Sequence, residues 1–228
     1  MFYLNSKPIF PPIEFADKDG LLAIGGDLSP ERLISAYSMG IFPWYEKDTP
    51  ILWWAPFPRP VIFPSEFHIS KSLKKILKKN IFSISFDANF FEVIFSCAEL
   101  RKEQGTWLVP EMIEAYSNLH KLGYAHSVEV WKDGKLVGGL YGVSIGRAFF
   151  GESMFHLVDN ASKVGLWGLL KFLQKNDFIF LDCQQSSPHV LRFGAKEIGR
   201  DEYKKLLKHA LSYPTLFCWQ NKSVELGL

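Results

Sequence analysis

Residues 125 to 156 constrain the fold more than any other stretch of the chain. Three apolar-rich runs, Ser127 to Trp131, Leu136 to Val143 and Arg147 to Met154, are joined only by Lys132-Asp-Gly-Lys and Ser-Ile-Gly. Connections this short permit antiparallel neighbours and leave no room for a parallel crossover, so the three runs predict an antiparallel meander. Helical periodicity flanks it on both sides, at about 88 to 101 and 110 to 122 before and from Ala161 to Gln174 after. A short strand then follows from Phe178 to Cys183, a helix near 188 to 193, and an amphipathic helix from about Asp201 to Leu211.

The first 65 or so residues read differently. Phe10-Pro-Pro-Ile, Gly25-Gly-Asp-Leu-Ser-Pro, Gly40-Ile-Phe-Pro-Trp44, Leu52-Trp-Trp-Ala-Pro56 and Pro58-Arg-Pro60 punctuate the segment, which predicts short elements and many fixed turns. Within it Ser29-Pro30-Glu31-Arg32 has the form of a capped helix start, running on to Gly40. We expect a small N-terminal α/β subdomain over 1–65 and a larger domain over 66–228. A strand at Phe82-Ser-Ile-Ser-Phe86 belongs to the second part. The order helix, helix, meander, helix, strand, helix predicts an α+β fold with a mixed, mainly antiparallel sheet, in the order seen in GNAT-like N-acyltransferases.

Charge is placed unevenly although the net is only +2. Lys71-Ser-Leu-Lys74-Lys75-Ile-Leu-Lys78-Lys79 carries five lysines and no acid. At 100° per residue Lys71, Lys74, Lys75, Lys78 and Lys79 share one helix face while Leu73, Ile76 and Leu77 share the other. Such a face is either a solvated surface or a docking stripe for a phosphate backbone. Three cysteines at wide spacing fit neither a disulfide framework nor a metal knuckle, and the six histidines show no i, i+4 pair, so a metal site is not expected. No run of about 18 apolar residues and no leader-like start occurs, so a cytoplasmic, membrane-free protein is expected.

On the strand ending Leu181-Asp182-Cys183-Gln184, alternation puts Asp182 and Gln184 on one face. A carboxylate beside an amide can orient an amine and accept a proton; Asp182 can equally cap or salt-bridge a neighbouring element. Phe150, Glu152 and Met154 share a face of the last meander strand, either as a carboxylate set in an apolar pocket or as an edge residue in solvent. Gly138, Gly139 and Gly142 allow close approach of a ligand or form a bulge. Cys183 with His189 is a weaker candidate for a nucleophile, because the Cys points away from Asp182. The junction Val158-Asp-Asn-Ala-Ser-Lys-Val-Gly165 lacks the glycine-rich loop a coenzyme A pyrophosphate needs, and no Walker loop occurs.

Nine motifs occur in the order expected of leucyl/phenylalanyl-tRNA-protein transferases. They are Gly20 to Pro30 (GLLAIGGDLSP), Gly40-Ile-Phe-Pro-Trp44, Leu52-Trp-Trp-Ala-Pro56, His68-Ile-Ser-Lys-Ser72, Gly105-Thr-Trp107, His126 to Trp131 (HSVEVW), Gly151-Glu-Ser-Met-Phe155, Asn160-Ala-Ser-Lys163 and Asp182-Cys-Gln184. The chain resembles that family from about residue 10 to 210. The resemblance implies an aminoacyltransferase that takes Leu or Phe, with Met as a further donor residue, from Leu-tRNA or Phe-tRNA. The acceptor would be the α-amino group of proteins beginning with Lys or Arg, which the added residue marks for degradation by the N-degron pathway. An aminoacyl ester is already activated, so no cofactor is expected, and a monomer is the default.

By the same resemblance Asp182 and Gln184 would orient the attacking amine and relay its proton, and Glu152 and Trp107 would hold the terminal adenosine. Trp53 or Trp54 would stack, and Met154, Phe150 and Ile145 would line the side-chain pocket. Lys71, Lys74, Lys75, Lys78 and Lys79 would dock the tRNA. Where many members carry an Asn-Asp pair after Asp-x-Gln, this chain has Ser186-Ser187-Pro188-His189, so Ser187 would take the place of a carboxamide.

Overall fold

A computed structural model describes residues 1–100, 108–216, 218 and 219. Among them two sheets form. The smaller contains β1 (Phe2–Leu4), β2 (Leu21–Gly25), β4 (Leu52–Trp54) and β3 (Phe42–Pro43) in that spatial order. The helix α1 (Pro30–Tyr37) runs between β2 and β3 in the chain. Proline stands in its first turn as expected, but Ser29 makes no side-chain cap; Asp27 accepts the Ser29 N–H instead (2.9 Å) and pairs with Arg32 (3.1 Å).

The larger sheet has seven strands. β5 (Arg59–Ile62), β6 (Ser83–Phe86), β7 (Ala125–Lys132), β8 (Lys135–Ile145), β9 (Ala148–His156), β10 (Phe180–Asp182) and β11 (Lys196–Ile198) lie in the order β11-β5-β10-β9-β8-β7-β6. Every pairing is antiparallel except β9 with β10, which is parallel. The expected meander is thus β7-β8-β9, inside an α+β architecture. Two strands were not anticipated. β5 contains Pro60, which argues against a strand on sequence, yet the Pro60 carbonyl accepts the Cys183 N–H (3.0 Å) and β5 pairs on both sides. It lies before residue 65 but belongs to the larger sheet. β11 is only three residues long.

Helices cover both faces of this sheet. One apolar cluster gathers α1, α3 (Phe90–Glu99), α4 (Pro110–Lys121) and α7 (Arg200–Leu211) with Tyr141, Val143 and Phe150 of the strands. The opposite cluster gathers α2 (Lys71–Lys78) and α5 (Ala161–Lys175) with Leu140, Phe149 and Leu181. The short α6 (Pro188–Arg192) follows β10, and beyond α7 the fully buried Trp219 returns among Phe86, Phe149, Phe172 and Phe178. α2 starts where Ser70 Oγ accepts the Leu73 N–H (3.2 Å), and it buries Leu73 and Leu77 while its lysines stay exposed, as the periodicity predicts. α3 is capped from another element: the fully buried Glu129 accepts the N–H groups of Ala88 and Asn89 and the hydroxyls of Ser85 and Ser127. Among the described residues no helix is long and apolar enough to cross a membrane.

Candidate active site

The parallel pairing of β9 and β10 stops early, and that break makes the site. Phe180, Leu181 and Asp182 pair with Ala148, Phe149 and Phe150; then Gln184 adopts φ +60, a left-handed conformation rare for a residue with a side chain. The turn is held by Asp182, whose Oδ1 accepts the Gln184 N–H (2.8 Å). β10 therefore leaves the sheet while β9 runs on to His156, and past Phe150 the two strands part.

On its other flank β9 carries a bulge at the same level. Tyr141 faces Ser153 and Gly142 faces Gly151, so Glu152 is the extra residue with no partner on β8. Gly142 is required here, because a Cβ would lie 2.2 Å from the Phe150 carbonyl oxygen and 2.5 Å from the Phe149 ring. The bulge also shifts the alternation that the sequence suggests. Phe150 packs into the cluster with Tyr37 (ring centroids 5.2 Å), whereas Met154 packs against the opposite cluster, so the two do not share a face.

Glu152 sits where three elements converge. Tyr37 of α1 donates to its Oε1 (2.6 Å), Tyr116 of α4 donates to its Oε2 (3.0 Å), and Gln184 Nε2 donates to Oε1 (2.7 Å). The two tyrosine oxygens are themselves 2.5 Å apart. Burial pushes the Glu152 carboxyl up to about 7, against the pull of Tyr37, Tyr116 and Gln184 toward the charged form, and nearby Asp182 pushes the same way as burial. Burial and then the Glu152 charge hold both tyrosines well above their ordinary value.

Asp182 is engaged differently. It is fully buried, its Oδ2 accepts from Tyr203 Oη of α7 (2.5 Å) and pairs with Arg59 Nε of β5 (3.2 Å). Arg59 is also fully buried, donates to the Gly40 carbonyl, and lies over the rings of Phe42, Phe57 and Tyr203 at 5.1, 5.5 and 5.0 Å. Burial pulls its pKa down, but Asp182 and Tyr203 more than offset this and leave it raised. Asp182 thus makes a salt bridge to a neighbouring element and also holds the turn that aims Gln184. Burial, and then the nearby Asp182 charge, push the Cys183 thiol up, which disfavours the thiolate.

Two hollows meet at this point. One of about 340 Å³ is walled by Leu140, Met154, Leu166, Leu169 and Leu181, with Ser187 and His189 at its side. A smaller one of about 190 Å³ is walled by Phe42, Pro43, Trp44, Gln184 and Gln185. Gly151, Glu152, Cys183 and Gln185 line both. A larger groove of about 1150 Å³ between α3 and α4 displays Phe91 and Phe95, away from the break between β9 and β10.

The other expected residues are dispersed. Ser187 accepts the Val190 N–H (3.4 Å) at the start of α6 and borders the larger of the two hollows. Ile145 is buried at the far end of β8, opposite Ala148; six residues of β9, about 20 Å of strand, separate that level from Met154, so it does not line the hollow. Trp53 is fully buried with its Nε1 on the Gly25 carbonyl (2.9 Å), which leaves no ring face for stacking. Trp54 is half-buried, donates to the Trp44 carbonyl (2.6 Å), and tilts against the Trp44 ring at 5.6 Å. Trp107 lies outside the described residues. Trp44 was missed: it is 40% exposed and walls the smaller hollow, and the Gly40-Ile-Phe-Pro-Trp44 motif was the signal for it. Arg59, Tyr37, Tyr116 and Tyr203 carried no individual signal.

Asp87, His120 and His126 place one potential ligand atom each within 4.8 Å, a grouping their sequence spacing conceals. His120 Nδ1 faces the Ala125 carbonyl (2.8 Å), and His126 faces Asp87 (2.8 Å) and the Gly123 carbonyl (3.0 Å).

Residues 61–208 match the family profile described as leucyl/phenylalanyl-tRNA protein transferase, and residues 26–56 match its N-terminal domain. A relative from Thermodesulfovibrio yellowstonii named leucyl/phenylalanyl-tRNA–protein transferase is 58% identical over 94% of this chain and 88% of its own. One of the same name from Desulfatibacillum aliphaticivorans is 51% identical over 95% and 94%. Among solved structures, a conserved protein of unknown function from Bacteroides thetaiotaomicron aligns with TM-score 0.44 and 12% identity, over 86% of this chain and 69% of that one.

Proposed function

The chain belongs to the leucyl/phenylalanyl-tRNA protein transferase family and is an aminoacyltransferase, and from that premise we propose that it joins Leu or Phe from aminoacyl-tRNA to the α-amino group of proteins beginning with Lys or Arg. The observation that carries this reading is the break between β9 and β10. A leucine-walled hollow large enough for one amino-acid side chain opens there onto Glu152, whose carboxylate Gln184 holds from the smaller hollow beside it.

In this reading the Leu or Phe side chain lies against Met154, Leu166 and Leu169, and the terminal adenosine rests on the Trp44 and Trp54 rings at the smaller hollow. The lysines of α2 take the acceptor stem. The pocket selects by size and apolarity, so Leu, Phe and Met are separated only coarsely. The ester supplies its own driving force, and an acceptor α-amine with a pKa of about 7.7–8.0 is partly neutral in a cytoplasm, so positioning and one proton acceptor suffice. The enzyme works there as a monomer without cofactor, and its product enters the N-degron pathway. Residues 66–228 act as a GNAT-like catalytic domain, with 1–65 as a small N-terminal domain that lends Tyr37, Trp44 and Arg59 to it. Support for the GNAT-like reading is the parting of two parallel strands at the centre of a mainly antiparallel sheet.

The test is transfer of labelled leucine from Leu-tRNA to peptides that differ only in their first residue, without ATP or coenzyme A. Arg- and Lys-initiated peptides should be labelled, and acetylated or Glu-initiated ones should not. Equal labelling of all free amines would sink the acceptor assignment.

A further inference from the structure

The contacts around Glu152 contain a proton count that does not balance for the ionised residue. Three oxygen–oxygen contacts form a closed triangle: Tyr37 Oη to Tyr116 Oη (2.5 Å), Tyr37 Oη to Glu152 Oε1 (2.6 Å) and Tyr116 Oη to Glu152 Oε2 (3.0 Å). Each contact needs one proton, and two phenols supply only two. The third can come only from the carboxyl group. With Glu152 protonated on Oε2 the ring closes: the carboxyl donates to Tyr116, Tyr116 to Tyr37, and Tyr37 to Oε1. With Glu152 ionised, one edge of the triangle is two oxygens at close range with no proton between them.

Asp182 has no such opening for a proton. Oδ1 takes the Gln184 N–H, Oδ2 takes Tyr203 and the Arg59 guanidinium, and the side chain is fully buried. Asp182 borders only the larger hollow, with both carboxylate oxygens already engaged, whereas Glu152 lines both hollows. We propose that Glu152 is the residue that takes the proton from the attacking amine, with Tyr37 and Tyr116 completing a ring around the proton once it arrives, and that Asp182 is a positioning residue that aims Gln184. This rests on the transferase reading above, and it gives Glu152 a chemical role where the sequence resemblance implied one in holding the adenosine.

The step balances without a further reactant. The amine nitrogen forms its bond to the ester carbonyl carbon and passes one proton to Glu152 Oε2. The bond from that carbon to the ribose oxygen breaks, and the same proton leaves Glu152 for that oxygen, so the carboxylate is regenerated. Among the described residues the groups that face Glu152 are Tyr37 from α1, Tyr116 from α4, Gln184 after β10, and the Asp182 charge backed by Arg59 of β5 and Tyr203 of α7. A carboxyl held near 7 by burial is suited to taking and returning a proton at neutral pH.

Two measurements on the full-length protein test this. In steady-state transfer of leucine from Leu-tRNA to an Arg-initiated peptide, Glu152→Gln should lower kcat about 100-fold or more while its Kd for Leu-tRNA stays near that of the wild type. Gln keeps the shape and can still hold an adenosine, so a variant with wild-type kcat, or one whose whole loss lies in Leu-tRNA affinity, overturns the proposal. If the wild type itself transfers nothing, the transferase reading fails, and infrared titration of the ring decides the rest. One carboxyl band lost through about pH 7 and missing from Glu152→Gln sustains the proton-holding ring; no such band refutes it.

Discussion

Glu152 has a cost that should be visible in stability as well as in catalysis. Its carboxyl binds a proton up to about pH 7 in the folded chain but releases it near the ordinary 4.5 when unfolded. Between those values the native state holds more protons than the unfolded state, so stability falls as pH rises through this window and levels off above it. Glu152→Gln carries no such group. The melting temperature of the variant relative to the wild type should therefore climb between pH 5 and pH 8, by something on the order of a few degrees. Parallel melting curves across that range would show that the carboxyl titrates alike in both states. Only part of this was legible in the sequence. Glu152 and Gln184 were found through the motifs Gly151-Glu-Ser-Met-Phe155 and Asp182-Cys-Gln184. Tyr37 and Tyr116 were not, because each occupies a position on a helix that reads as core, and they reach Glu152 from 115 and 36 residues away.

At the level of elements, α2 is the clearest case in which periodicity alone sufficed. Its lysines are exposed and its two leucines buried, as 100° per residue requires. Replacing Lys71, Lys74, Lys75, Lys78 and Lys79 by Gln should weaken tRNA binding and flatten the plot of log K against log salt by about 0.7–0.9 for each phosphate that is no longer neutralised. An unchanged slope would make the helix a solvated face and nothing more. The meander was equally legible, since its turns leave few options. The bulge at Glu152 and the left-handed turn at Gln184 were not, and they matter most, because each interrupts the period of two from which strand faces are read. Strict alternation put Met154 beside Phe150 and treated Asp182 and Gln184 as equivalent neighbours. The actual backbone separates the first pair and gives the second pair different partners, Arg59 and Tyr203 for Asp182 and Glu152 for Gln184.

For the whole molecule, the site exists because distant segments close around one gap. β5 brings Arg59, α1 and β3 bring Tyr37 and Phe42, α4 brings Tyr116, and α7 brings Tyr203, so the N-terminal residues build part of the centre. That long-range convergence is what a single sequence does not display: the Trp219 return onto His126 (4.3 Å) and the placement of β5 beside β10 have no local pattern behind them. Fold class was accessible because it follows from the order of elements, whereas the walls of the hollow follow from which elements meet. The most direct test of the account is therefore a crystal structure with leucine joined to adenosine through a non-hydrolysable amide. The leucyl side chain should lie against Met154, Leu166 and Leu169, with its amide within hydrogen-bond reach of Glu152 and adenine on the Trp44 ring. A ligand bound instead in the larger groove between α3 and α4, or one that leaves the gap between β9 and β10 empty, would contradict it.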